Sequence, residues 1–152
     1  MIKQVKDILQ QVIEERITGI TIARSFKKEK KAHLAKKWPL VALITNPGRF
    51  DNTPRTTKYF DKEVKIWKQR YVRGKRILPV LMRCWAMGED KTDELLSSIL
   101  PYLPTRWVLD EIEGEISIIS EEHSDHAGNT SELCVSAVEI EFSVEVARAA
   151  GD

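Results

Sequence analysis

Long apolar runs are missing from this 152-residue chain. The longest useful one, Trp38 to Ile44, is far below the roughly 20 residues that a membrane-spanning helix requires. The opening Met1-Ile2-Lys3-Gln4-Val5 has no apolar signal-peptide core, so a cytosolic product without export signals is expected. Cysteine is scarce. Cys84 and Cys134 give no disulfide framework and point to a reducing compartment. Net charge is nearly absent too, because 24 Lys+Arg stand against 23 Asp+Glu. That balance excludes both a polycation bound to nucleic acid along its whole length and an acidic solvating tail. No G-x-S-x-G, Walker A loop or dinucleotide fingerprint occurs, and there is no internal repeat, low-complexity tract or interdomain linker.

What is present describes a soluble globular protein, with 42% hydrophobic and 31% charged residues. A single domain of this size buries roughly 68–70% of its unfolded surface, so it needs no staple or metal for stability. The charges are sorted along the chain. Residues 1–76 hold 20 basic and 7 acidic side chains, and residues 77–152 hold 4 and 16. A folded subunit with one basic and one acidic surface is suited to head-to-tail self-association.

Apolar spacing of three and four predicts an amphipathic helix over residues 2–16, with Gly19 as its C-cap and a short strand at Ile20–Ala23. A basic stretch of helical or loop character follows at 24–37, where His33 is expected to face solvent. Leu40–Ile44 reads as a buried strand, and Asn46-Pro47-Gly48 as a turn. Polar residues 49–62 read as a long exposed loop. Residues 63–87 read as a β-hairpin turning at Gly74-Lys75, and the apolar Ile77–Met82 suggests a strand covered on both faces. Pro79 predicts a missing ladder bond on one side of that strand, or a bulge. A second helix opens near Gly88, capped by Asp90 or Thr92, and is stopped by Pro101 and Pro104. Strands are expected at Arg106–Leu109, Glu115–Glu121 and Leu133–Ala147. In the last, Cys134, Val138, Ile140, Phe142, Val144 and Val146 alternate with an acidic face containing Glu139, Glu141 and Glu145. The sum is a single α+β domain over residues 1–152, with two helices against a mostly antiparallel sheet.

Few clusters suggest chemistry. Glu63-Val64-Lys65 is an E-x-K triplet which, with Asp51 and the nearby Asp61, could hold Mg²⁺ and orient water for nuclease chemistry. A solvated hairpin is the plainer explanation. Glu121-Glu122-His123-Ser124-Asp125-His126 has the composition of a metal site, yet a polar hairpin loop accounts for it better. Cys84 and Cys134 read as small core side chains. Lys27, Lys28, Lys30, Lys31, Lys36 and Lys37, with Arg24, offer phosphate contacts, but no aromatic residues are interleaved to stack bases. A solvated helix face or an intersubunit patch is favoured for them, with the acidic strand face of a neighbour as counterpart. No catalytic, cofactor or metal residue is assigned.

The element order and the C-terminal half resemble the tail terminator (tail completion) proteins of long-tailed bacteriophages, including those of Mu-like prophages. The resemblance lies in Ile77-Leu78-Pro79-Val80-Leu81-Met82-Arg83-Cys84-Trp85-Ala86, in the helix Thr92–Leu100, and in the strand bearing Trp107. It continues through the acidic segment Ile116 to Asp125 and the closing Phe142-Ser143-Val144-Glu145-Val146. It covers most of the chain and rests on pattern, without a diagnostic motif. Such proteins are small α+β subunits without enzymatic activity or cofactor. They form a hexameric ring on the tail tube, stop its polymerisation and present a surface to the head-neck complex. The resemblance therefore implies a homohexamer in the virion, at the tail-neck junction, assembled in the host cytoplasm. Its partners would be the tail tube protein, a head-closure or neck protein and, where the tail contracts, the sheath. DNA would pass through the lumen without sequence-specific binding. By position, Asn46–Lys58 and the hairpin 63–87 become contact candidates, among them Arg49, Phe50, Arg55, Lys68, Arg70 and Arg73. The basic stretch 24–37 matches no motif of the family. A head-closure or adaptor protein of the neck is the near alternative, and the nuclease the distant one.

Overall fold

Residues spaced three and four apart wind Ile2–Arg16 into helix α1, whose buried stripe is Val5, Leu9 and Ile13. In the computed structural model, which describes residues 1–109, 112–124 and 132–149, seven strands follow with two further helices. Strand β1 (Thr21–Ala23) leads to helix α2 (Phe26–Leu34), then β2 (Leu40–Thr45), β3 (Arg49–Asp61) and β4 (Ile66–Met87). Helix α3 (Glu89–Ile99) runs into one 3₁₀ turn at Leu100–Tyr102, and β5 (Arg106–Leu109), β6 (Ile112–Ser124) and β7 (Leu133–Ala149) complete the chain. The fold is α+β. Strand order is β1-β2-β4-β7-β6-β5, with β3 also on β4, and every pairing is antiparallel except β1–β2.

Both sheet faces are used. Val41, Leu43, Val80, Met82, Val138, Ile140 and Phe142 point to one side and form the main core with the apolar faces of α1 and α3. The alternating set, Leu40, Ala42 and Ile44, meets Ala23 of β1 and Ala32 of α2 on the other side. Strand β2 is thus buried on both faces, which explains its unbroken apolar run. Cys84 and Cys134 are core residues as expected, and burial pushes the Cys84 thiol up to about 12.

Pro79 marks a junction. Strand β2 pairs with β4 from Val80 onward and β3 pairs with β4 up to Ile77, so both lie along the same edge. The Pro79 carbonyl accepts from the Asn46 amide at 3.0 Å. A residue's N–H and C=O point the same way in a strand, so the missing N–H faces the gap between β2 and β3, where no ladder bond is needed.

Four local expectations are corrected. Residues 49–61 are a strand, not a loop; both its faces are largely exposed, so no apolar alternation announces it. Gly74-Lys75 is not a turn, since β4 runs straight through it and the chain reverses at Lys62–Lys65. A Cβ on Gly74 would lie 2.1 Å from the Asp51 carbonyl oxygen, so the glycine serves close strand approach at a bulge. The basic stretch contains a third helix, α2, because the Ser25 side chain caps it by accepting from the Lys28 amide at 3.2 Å. Helix α3 has Gly88 at its N-cap, and the Thr92 hydroxyl instead donates to the Glu89 carbonyl.

Smaller differences follow from packing. Helix α1 ends at Arg16 with Ile17 as its C-cap, two residues before Gly19. Val146, expected on the buried face of β7, is exposed. His33 is half-buried, its Nδ1 accepting from Trp38 Nε1 at 3.0 Å and its ring standing edge-on to Trp85. Among the described residues, no helix is long and apolar enough to cross a membrane.

Candidate functional site

The feature that stands out from the body is a two-stranded arm. Among the described residues, strand β7 joins β4 only from Arg70 onward, and Ile66–Gln69 pair with β3 alone. At the tip the Asp61 carboxylate accepts from the amides of Glu63 and Val64 and pairs with Lys68 at 2.8 Å. The Lys68 ammonium and those two amides hold the Asp61 carboxyl below its ordinary range, and Asp61 in turn raises Lys68. Phe60 and Trp67, directly opposed across the ribbon, meet edge to face with centroids 5.6 Å apart. Trp67 is 69% exposed, and Phe60, Val64 and Ile66 beside it are exposed too. Residues 49–77 carry ten basic and three acidic side chains. An apolar tip on a cationic shaft is the result.

The opposite end of the sheet is acidic. Strand β4 ends at Met87, and α3 begins there with exposed Glu89, Asp90, Asp93 and Glu94. Glu121 and His123 of β6 reach the same region, with one ligand-capable atom each from Asp93, Glu121 and His123 within 4.8 Å of one another. His123 Nε2 lies 2.8 Å from Glu121, and its Nδ1 lies 2.7 Å from the Ser136 hydroxyl. Ser136 donates onward to Thr92 at 2.8 Å. A Glu–His–Ser relay of this kind has the connectivity of a hydrolase triad. Ser136 and Thr92 are fully buried, however, so the hydroxyl meets no substrate, and the chain of bonds ties α3 to β6 and β7. Glu121 lies on the strand expected to end there, but that strand continues to Ser124, so His123 is on it and not in the expected loop; Asp125 and His126 lie outside the described residues.

Other expected residues are dispersed or engaged. Asp51 sits opposite Lys75 near the start of β3, where β7 also pairs with β4, while Glu63 and Lys65 occupy the turn. Ten residues of extended strand separate Asp51 from Asp61, about 33 Å, so the nuclease constellation does not assemble. Glu141 pairs with Arg49 and Glu145 with Arg55 inside the same subunit, so these acids are not free counterparts for a neighbour's lysines. Glu141 raises the Arg49 guanidinium in turn. Arg70 lies over the Tyr59 ring, Arg73 and Phe50 are exposed, and Glu139 is half-buried. Lys27, Lys28, Lys30, Lys31, Lys36 and Lys37 are all exposed, with Phe26 and Leu34 of α2 exposed among them.

Sequence reasoning missed the arm tip and the Thr92–Ser136–His123 relay. Phe60 and Trp67 flanking a polar, charged turn were the available signal for the first. Compared with known proteins, the chain matches no family model and no curated protein.

Proposed function

We propose that this protein is a ring-forming structural subunit of a phage virion, the tail terminator. It caps the head-proximal end of the tail tube, stops tube polymerisation and presents the surface to which the head-neck complex attaches. The single observation carrying the assembly part is the arm: an exposed, cationic, apolar-tipped ribbon at one end of a sheet whose other end is acidic. A monomer gains nothing from exposing such a tip in water, whereas a partner surface would bury it. Two different surfaces at opposite ends of one chain favour a heterologous, head-to-tail contact, which closes into a ring when the rotation per subunit divides the circle. The choice of a tail terminator rests on the resemblance in element order, and the subunit count of six comes from that resemblance alone.

Native mass measurement and negative-stain imaging of the purified protein test the reading. Six-fold rings that bind one end of a growing tail tube and halt its extension are the expected outcome. Rings that bind only a completed head would indicate a head-closure protein. A strict monomer at low salt, with tail tube present, would refute the assembly altogether.

A further inference from the structure

We infer that copies of this chain join edge to edge, the outer side of β3 in one pairing antiparallel with the outer side of β6 in the next. This deepens the ring reading and rests on it. Among the described residues, β3 pairs with β4 alone, so the outer side of Arg49–Asp61 carries no ladder. At the other edge of the sheet β5 covers only Ile112–Glu115 of β6, and the Ile116 amide adds one bond to the Thr105 carbonyl at 3.0 Å. Beyond it, Ser117–Ser124 are all exposed. An open edge is a row of unused backbone donors and acceptors, which an added strand satisfies.

Strand direction and charge make the two open edges of one chain complements of each other. Strands β3, β4, β7 and β6 alternate in direction, since each pairing among them is antiparallel. A copy added in the same orientation therefore sets its β3 antiparallel to β6, and the alternation continues unbroken across the join. Charge opposes self-pairing of either edge. Residues 55–70 carry six basic and two acidic side chains, whereas residues 113–124 carry four acidic ones and no Lys or Arg. Two β3 edges, or two β6 edges, would bring like charges together; β3 against β6 brings opposite ones.

One register satisfies charge and apolar contact at once. Residues directly opposite across a ladder share a sheet face. Thr56 pairs with Tyr71 and Tyr71 with Arg148, an even number of steps along β7 from the core residue Phe142. Thr56, Lys58 and Phe60 therefore stand on the face that carries α1 and α3. On β6, Ile118 and Glu121 stand on that face too, opposite the core residues Ile140 and Val138. Setting Lys58 opposite Glu121 pairs these charges and brings the exposed Phe60 to the exposed Ile118. The contact has to be intermolecular. Lys58 is level with Gln69 of β4 and Glu121 with Met82, thirteen residues further on, or about 43 Å at the rise of an extended chain. Each join leaves one β3 edge and one β6 edge open until the assembly closes.

The test reverses charge in the full chain. Lys58→Glu alone and Glu121→Lys alone should each raise the protein concentration needed for half-assembly about tenfold. The double reversal, Lys58→Glu with Glu121→Lys, should return it to the wild-type value. Separately, a short bis-maleimide should cross-link a mixture of Lys58→Cys and Glu121→Cys chains but neither variant alone, since native Cys84 and Cys134 are buried. Cross-links within either single variant would mean self-pairing and overturn the inference, as would a double reversal that assembles no better than the single ones. If wild type forms rings, yet the single reversals assemble like it and the mixture stays uncross-linked, the edge pairing fails and the ring reading stands. If wild type remains a monomer under all conditions, both fail. If the reversals leave self-assembly intact but abolish binding to tail tube, the edges belong to the tube protein and the pairing of copies is overturned.

Discussion

Glu29 of α2 and Arg83 of β4 form a buried ion pair across the second face of the sheet. Arg83 Nε donates to Glu29 Oε2 at 2.9 Å, its Nη2 bonds the other carboxylate oxygen, and Trp85 Nε1 adds a third donor at 3.1 Å. Glu29 is 5% exposed. Fifty-four residues of chain separate the partners, and the pair pins α2 onto the sheet. Phe26, with Arg83 above its ring, closes the arrangement.

Breaking this pair from one side leaves an uncompensated charge in the interior. Arg83→Ala should destabilise the protein by about 3–5 kcal/mol, lowering the melting temperature by roughly 10 °C. Replacing both partners, Glu29→Met with Arg83→Met, should recover most of that loss because no charge remains buried. Thermal melts of the two variants and wild type check it, and a double variant as unstable as Arg83→Ala would be inconsistent with this account.

Gly114 makes a different prediction. A Cβ there would lie 2.2 Å from Trp107 Nε1 and 2.4 Å from the Ser143 carbonyl oxygen, to which Trp107 donates at 3.2 Å. Gly114→Ala must therefore displace the indole or part β6 from β7, at a cost of about 1–3 kcal/mol. Red-shifted Trp107 emission should accompany the loss, read against a Trp107→Phe control. Unchanged emission and stability would show that the site relaxes freely.

Cys84 sets a pH dependence. Its thiol is pushed up to about 12 by burial, from a model-peptide value near 9. Folding therefore favours the protonated form. The associated stability is complete below about pH 9 and falls as pH rises from there toward 12, by about 1.4 kcal/mol per pH unit. Urea unfolding at pH 8, 9 and 10 should show this slope in wild type and a shallower one in Cys84→Ala. Equal slopes would remove Cys84 from the alkaline transition.

Ser136 should behave as a structural hydroxyl. Ser136→Ala strips a partner from both His123 Nδ1 and the buried Thr92 hydroxyl, costing about 1–3 kcal/mol. A fluorophosphonate probe should leave wild-type Ser136 unlabelled, because the residue is fully buried. Labelling at Ser136 would require an opening of α3 that the packing does not provide.

How far the fold was legible follows from where each pattern is written. Helix α1 was legible in outline, because Val5, Leu9 and Ile13 face the core while Lys3 and Glu14 face water. Ile2 of its apolar set is exposed, however, and Lys6 of its polar set is buried, its ammonium on the Arg24 carbonyl. Strand β7 was equally legible over Cys134–Val144, where one face is buried and the other is not. Strand β3 was invisible for the opposite reason: with both faces exposed, Arg49–Asp61 carries no burial period, and only hydrogen bonds to β4 make it a strand. Gly74 misled because the same residue serves a tight turn and a close strand approach. The site was legible as charge and illegible as place. The +13 and −12 halves are visible in the sequence, but Glu141 and Glu145 face Arg49 and Arg55 of their own chain.

The sequence by itself determined the α+β class, the apolar faces of α1, α3 and β7, and the sorting of charge, because each is a local periodicity or a count. Only the tertiary structure decided that β4 runs unbroken from Ile66 to Met87, with the Trp67 tip and Met87 at opposite ends of one strand. That outcome depends on which strands pair and where pairing stops. Register is a contest between distant segments for the same backbone hydrogen bonds, and no local window of residues contains it.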